Sequence, residues 1–90
     1  MKIVVNKCYG SFGLSEKAKK YLADENADLK YGYDYESRND PKLVECVERL
    51  GEEASDQFAL LVVVEIPDNI KWGIVDYDGY ETVHEEHRVW

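Results

Sequence analysis

The segment Phe58–Ile66 constrains the fold of this chain most, because every residue in it except Glu65 is apolar. Such a run is typical of a strand that is covered on both faces or flanked by other strands. It is far too short to span a bilayer. The opening segment Lys2–Lys7 is also rich in β-branched residues and predicts a second strand, which we expect to be its neighbour.

Two helices are predicted between these strands. The first begins after Ser15, whose side chain is a good N-cap, and continues to near Asn26. The second begins at Asp40-Pro41, an N-cap followed by proline at the first helical position. Gly51 is a natural terminator of this helix, unless the acidic turn after it prolongs the helix to Ala54.

The segment Asp28–Asn39, between the helices, has two interpretations. Tyr31, Tyr33 and Tyr35 alternate as residues of one strand face do, but the glycine and acidic residues around them weaken a strand prediction. A short edge strand and an ordered aromatic loop are both consistent with this pattern.

The last part of the chain predicts the strands Lys71–Tyr77 and Tyr80–Val89. Asp78-Gly79 between them is a strong signal for a two-residue hairpin turn. Trp72, Tyr77 and Trp90 are expected in the core or covering the sheet. The chain is therefore predicted to be a single domain, residues 1–90, of the α+β class. We expect one small mixed sheet of four to five strands, in the order β-α-(β)-α-β-β-β, with both helices packed on one face.

The composition is acidic, with 19 Asp and Glu against 11 Lys and Arg and a net charge of −8. This balance argues against binding to a nucleic-acid backbone, which needs a basic surface. No signal peptide or membrane-spanning segment is recognisable, so a cytoplasmic protein without membrane contact is expected. Cys8 and Cys46 are expected to be reduced thiols in that compartment.

The loop between the first strand and the first helix is the best candidate for a binding site. Glycine-rich turns that enter a helix can hold an anion with backbone N–H groups. The residues that would contribute are Lys7, Gly10, Ser11, Gly13, Ser15 and Arg38. Catalysis by Cys8 is less well supported, because a phosphatase-type loop requires arginine where this chain has Leu14, and no Walker lysine follows.

Aromatic residues and histidines give two further candidates. Tyr33 and Tyr35 lie just before Arg38, and an aromatic surface beside an arginine is suited to stacking a base or docking a protein. His84 and His87 would point to opposite faces of a strand and could then not share a metal ion, although on a helical turn they could. Neither a metal site nor a cofactor is predicted.

Three groups of residues resemble a family of small bacteriophage and prophage proteins to which no activity is assigned. The first group is the opening Asn-Lys-Cys-Tyr-Gly-x-Phe-Gly-Leu-Ser, and the second is the helix entry Arg38–Pro41. The third is the ending, made up of Val64–Asp68, Asp76–Gly79 and His87–Trp90. The resemblance implies an accessory protein in the cytoplasm of an infected bacterium.

Two functional hypotheses follow. The first is a non-enzymatic protein that binds a host protein or a small anionic or nucleotide ligand, as a counter-defence protein would. The alternative is a small enzyme that acts on a phosphorylated or nucleotide substrate through Cys8 and the glycine loop. A homodimer is a further expectation, because symmetric dimers are the commonest assembly and a small sheet tends to leave an exposed edge.

Overall fold

The computed structural model describes residues 1–24, 35–85 and 88–90. The helices in this part are α1 (Glu16–Asp24) and α2 (Pro41–Leu50). The strands are β1 (Lys2–Asn6), β2 (Leu61–Glu65), β3 (Gly73–Tyr77), β4 (Tyr80–Glu85) and β5 (Arg88–Val89). Short 3₁₀ helices span Tyr35–Ser37 and Gly51–Ala54.

Both predicted N-caps are confirmed. The Ser15 hydroxyl oxygen accepts a hydrogen bond from the Ala18 N–H at 3.0 Å, and the Asp40 carboxylate accepts one from the Lys42 N–H at 2.9 Å. Each bond satisfies a backbone donor that has no partner within its helix. The local sequence therefore determines where both helices begin.

The predicted ends of the helices can be compared with the structure only for α2. Gly51 terminates α2 with φ of 59°, which an L side chain rarely adopts, and the next residues continue as a 3₁₀ helix to Ala54. The predicted end of α1 near Asn26 lies outside the described residues. So does most of the aromatic segment Asp28–Asn39, of which Tyr35–Ser37 forms the 3₁₀ helix.

The α+β class is confirmed, but the prediction of one mixed sheet is not. The described strands form two antiparallel sheets, β1–β2 and β3–β4–β5. The predicted strand Tyr80–Val89 is in fact β4 and β5, which pair with each other. β2 begins at Leu61 rather than Phe58, because the Phe58 N–H donates to the Asp56 carboxylate in a local turn and its side chain remains 60% exposed.

The β1–β2 sheet is the middle layer of the molecule. Alternate residues of its strands, such as Val4 and Leu61, pack with the helices in one core, while Ile3 and Val5 pack with Val83 of the other sheet in a second core. Because side chains alternate between the faces of a strand, both faces of this small sheet are buried. The prediction that the apolar segment is covered on both faces therefore holds for Leu61–Val64, whereas Phe58 and Leu60 are exposed. β2 pairs only with β1 among the described strands, so the alternative, a strand flanked on both sides, is not found.

The turn between β3 and β4 is the predicted two-residue hairpin. Asp78 and Gly79 have φ of 52° and 89°, the positive values that a type I′ turn requires. Trp72 and Trp90 pack against the second core as predicted. Tyr77 is instead 72% exposed, because the alternation of β3 points its side chain away from the middle layer.

Candidate functional site

Asn6 organises the loop that the sequence indicates as a binding site. Its side chain is fully buried and makes three hydrogen bonds: it donates to the carbonyls of Cys8 (2.8 Å) and Gly79 (2.6 Å) and accepts from the Leu60 N–H (2.8 Å). The amide thereby joins the loop, the β3–β4 turn and the segment before β2. Sequence reasoning missed this role, although an asparagine at the end of an apolar strand was the available signal.

The glycines of the loop allow close packing of the backbone. A Cβ atom at Gly10 would lie 1.8 Å from the Phe58 carbonyl oxygen, and one at Gly13 would lie 1.9 Å from the Asp56 carboxylate. The Asp56 N–H also donates to the Gly13 carbonyl at 3.2 Å. A carboxylate therefore lies directly beside Gly13, and its negative charge would oppose an anion bound there.

Ser15 connects the beginning of α1 to the 3₁₀ helix Gly51–Ala54. Its hydroxyl donates to the Glu53 carbonyl at 2.6 Å, and its N–H donates to the Ala54 carbonyl at 2.9 Å. Ser11 is exposed, and its backbone packs against Gly79. A Cβ atom on Gly79 would lie 2.8 Å from the Cα and backbone N of Ser11. Of the residues predicted to form the binding site in the loop, Gly10 and Ser11 are exposed and Gly13 is buried.

Arg38 lies in the interior and not at the surface of the loop. Its guanidinium forms a two-point ion pair with Glu81, and each side chain is 1% exposed. It also stacks on the ring of Phe12, with Cζ 3.7 Å from the ring centroid, and donates to the Val4 carbonyl. Glu81, which sequence reasoning missed, neutralises the charge that Arg38 was expected to offer a ligand.

Tyr35 lies at the mouth of a cleft between the 3₁₀ helix and β3. The cleft, of about 430 Å³, is lined by Tyr35, Asn39, Trp72, Gly73 and Ile74. Burial, followed by the negative charge of Asp76, raises the pKa of the Tyr35 phenol, which also hydrogen-bonds that carboxylate. Tyr35 is therefore a neutral hydrogen-bond donor at neutral pH. Tyr33 lies outside the described residues.

Lys7 points across the molecule towards β4. Its Nζ lies 5.0 Å from the centroid of the Tyr80 ring and 3.4 Å from the Trp90 carbonyl oxygen. Partial burial lowers the pKa of this ammonium group, against an opposing effect of Glu81. Lys7 and Arg38, the two cations expected at the loop, therefore have other contacts.

Exposed apolar side chains lie together on the face of the three-stranded sheet that points away from the middle layer, here called the outer sheet face. Val75, Tyr77 and Val89 are 51%, 72% and 61% exposed on it. The pairings Tyr77↔Tyr80, Val75↔Thr82 and His84↔Val89 place these residues on one face. Tyr9, 65% exposed, extends the surface by contacting Tyr80 with ring centroids 5.3 Å apart.

Among the described residues of the outer sheet face there is no carboxylate, although the chain is strongly acidic. Its members are Tyr9, Val75, Tyr77, Tyr80, Thr82, His84 and Val89. Its one imidazole belongs to His84, whose Nε2 lies 2.6 Å from the Thr82 hydroxyl. The second predicted histidine, His87, is outside the described residues. Within residues 1–24, 35–85 and 88–90 no group of three His, Cys, Asp or Glu side chains is arranged to hold a metal ion.

No protein-family model matches this chain, and no curated protein or solved structure matches it either. In the described part of the chain no helix is long and apolar enough to cross a membrane. Inference about function therefore rests on the geometry of the surface.

Proposed function

We propose that this chain is a non-enzymatic accessory protein of phage type that binds a protein of the bacterial host through the outer sheet face. The exposed cluster of tyrosine and valine side chains on that face supports this proposal most directly. Aromatic residues are enriched and charged residues are depleted at the centres of protein interfaces.

The charge of the molecule defines the partner further. The centre of the outer sheet face has no acidic side chain, while Asp78 at its margin is exposed and the whole chain carries −8. A partner with a basic rim around an apolar centre matches this distribution, and its association would be accelerated by attraction between opposite charges. Because the chain resembles phage proteins, we expect this partner to be a protein of the bacterial host.

The geometry favours a protein partner over the other two hypotheses. A small anion in the glycine loop would meet the Asp56 carboxylate and would not reach Arg38, which is paired with Glu81. A cytoplasmic enzyme using Cys8 would lack the loop arginine that grips a phosphate. We therefore expect Cys8→Ser to leave binding and any phenotype unchanged.

The proposed function can be tested with Val89→Glu, which places a charge on the outer sheet face at a position already 61% exposed. Ala23→Glu adds the same charge at an exposed position of α1 and is the matched control. Host proteins captured by the immobilised chain would be identified, purified and titrated by calorimetry. We expect Val89→Glu to weaken binding at least about tenfold, since a charge would be buried in the interface.

Two results would contradict the proposal. One is a captured protein that binds the wild type, Val89→Glu and Ala23→Glu with equal affinity. The other is a small molecule, retained by the purified protein in native mass spectrometry, whose binding is lost when Lys7 or Ser11 is replaced.

A further inference from the structure

The outer edge of β3 offers backbone groups that β4 does not use. In an antiparallel pair, opposed residues alternate between those that exchange hydrogen bonds and those that do not. The N–H and C=O of Val83 bond to Trp90, on the side away from β3. Its opposite residue Ile74 is therefore in a pair that is not hydrogen-bonded, and so, two residues on, is Asp76.

The N–H and C=O groups of Ile74 and Asp76 consequently point out of the sheet edge. In the described part of the chain no strand pairs with this edge, because β3 is the terminal strand of its sheet. Among residues 1–24, 35–85 and 88–90, no hydrogen bond links the backbone of β3 to a segment other than β4. An exposed strand with unpaired groups is a template for another strand.

The charges beside β3 are arranged so that the strand is complementary to itself. Exposed Lys71 precedes the strand, whereas exposed Asp76 and Asp78 lie at its other end. If a second β3 runs antiparallel alongside, Lys71 of each copy comes close to the acidic end of the other copy. Such pairing about a two-fold axis is the isologous contact found in most homodimers.

We propose that two copies of this chain associate by antiparallel pairing of their β3 strands. The clefts lined by Tyr35, Trp72 and Ile74 adjoin the same edge, so the contact also covers apolar surface.

The outer edge of β2 is less suited to self-association than that of β3. Its first outward N–H, that of Leu61, already donates to the Ser55 hydroxyl at 2.8 Å. The only charged residue of β2 is Glu65, so antiparallel self-pairing there gains no attraction between opposite charges. Charge complementarity thus distinguishes the two edges.

The dimer would join two three-stranded sheets into one of six strands. Because the two-fold axis of an antiparallel strand pair is perpendicular to the sheet, both outer sheet faces would point in the same direction. The dimer would then present two adjacent docking surfaces and could bind a symmetric or repeated partner with increased avidity. The pairing itself needs no partner and does not depend on the proposed function.

The test combines sedimentation equilibrium with amide hydrogen exchange of the wild-type protein. We expect a reversible dimer, with the Ile74 and Asp76 amides gaining protection as protein concentration rises. The amides of Val75 and Tyr77, which bond to β4, should be equally protected in dilute and concentrated samples. A monomer at all concentrations up to about 1 mM, the weak limit for specific association, would overturn the proposal. So would a dimer in which exchange at Ile74 and Asp76 is independent of concentration.

A charge variant supplies the second measurement. Lys71→Glu should raise the dimer dissociation constant about tenfold, because it replaces two attractive contacts with repulsive ones. Lys20→Glu makes the same change at an exposed position of α1 and should have a much smaller effect. Equal effects of the two variants would contradict the pairing. Val89→Glu lies on β5, at the far side of the sheet, and should leave the dimer intact even where it abolishes partner binding.

Discussion

Arg38 and Glu81 form a buried two-point ion pair that joins the two sheets, with N–O distances of 2.5 and 2.9 Å. Glu81 also accepts the Asn6 N–H at 2.8 Å, and the Arg38 carbonyl accepts the Val4 N–H at 2.9 Å. The two residues therefore satisfy the outer edge of β1, which no strand covers in the described residues.

Removing one member of this pair should destabilise the protein strongly. We expect Glu81→Gln to lower the free energy of unfolding by about 3 to 5 kcal/mol, because it leaves the Arg38 charge buried without a counter-ion. Urea denaturation measures this as a lower midpoint with an unchanged slope. Glu48→Gln is the control, since it breaks a half-exposed pair with Lys2. A similar midpoint shift for both variants would show that the buried pair has no special role.

Asn6 should be essential to the packing of the glycine loop. Asn6→Leu is expected to destabilise the fold by about 3 kcal/mol, because two buried carbonyls and the Leu60 N–H lose their partner. Hydrogen exchange resolves the effect by position: the Leu60 amide should exchange faster relative to amides of α2. Unchanged protection of Leu60 would be incompatible with the proposed role.

The stability of the protein should fall at alkaline pH through Cys46. Burial raises the pKa of this thiol from 9.0 to about 11. The unfolded chain loses the proton near pH 9 while the folded protein retains it, so the unfolded state binds fewer protons in this window and unfolding becomes easier as pH rises. The loss should reach about 2 to 3 kcal/mol at the upper end of the window.

Cys46→Val removes this titration and is the comparison for the alkaline measurement. The difference in unfolding free energy between wild type and variant should change between about pH 8 and about pH 11. A constant difference would show that Cys46 does not cause the loss of stability at alkaline pH.

The two thiols should also differ in reactivity at neutral pH. Partly exposed Cys8 should react with a thiol reagent before Cys46, which is completely buried.

Replacement by alanine should affect the stability of the protein differently at Gly10 and at Gly73. Gly10→Ala is expected to destabilise the protein by about 2 to 3 kcal/mol, because the new methyl group would overlap the backbone carbonyl of Phe58. Gly73→Ala meets open space and should be neutral or stabilising by about 0.5 kcal/mol. Thermal unfolding of the two variants measures the difference, and equal melting temperatures would disprove the close packing at Gly10.

Local interactions were predictable from the sequence alone. Ser15 and Asp40 cap helices, and Asp78-Gly79 forms the hairpin, because each depends on side-chain and backbone chemistry within a few residues. The packing of Leu61–Val64 against apolar residues on both faces of β2 followed from their apolar composition. These features require no knowledge of which distant segments meet.

Only the tertiary structure decided the rest. Glu81 lies 43 positions from Arg38 in the sequence, and no local pattern indicates that they pair and bond to the outer edge of β1. Other contacts between distant segments bring Asp56 against Gly13. The packing of β4 on the middle layer, together with the alternation of β3, leaves Tyr77 on the exposed face. The proposed binding surface is therefore the outer sheet face and not the loop. Long-range packing determines which polar groups are neutralised and which apolar groups remain exposed, and a single sequence does not encode that in any short segment.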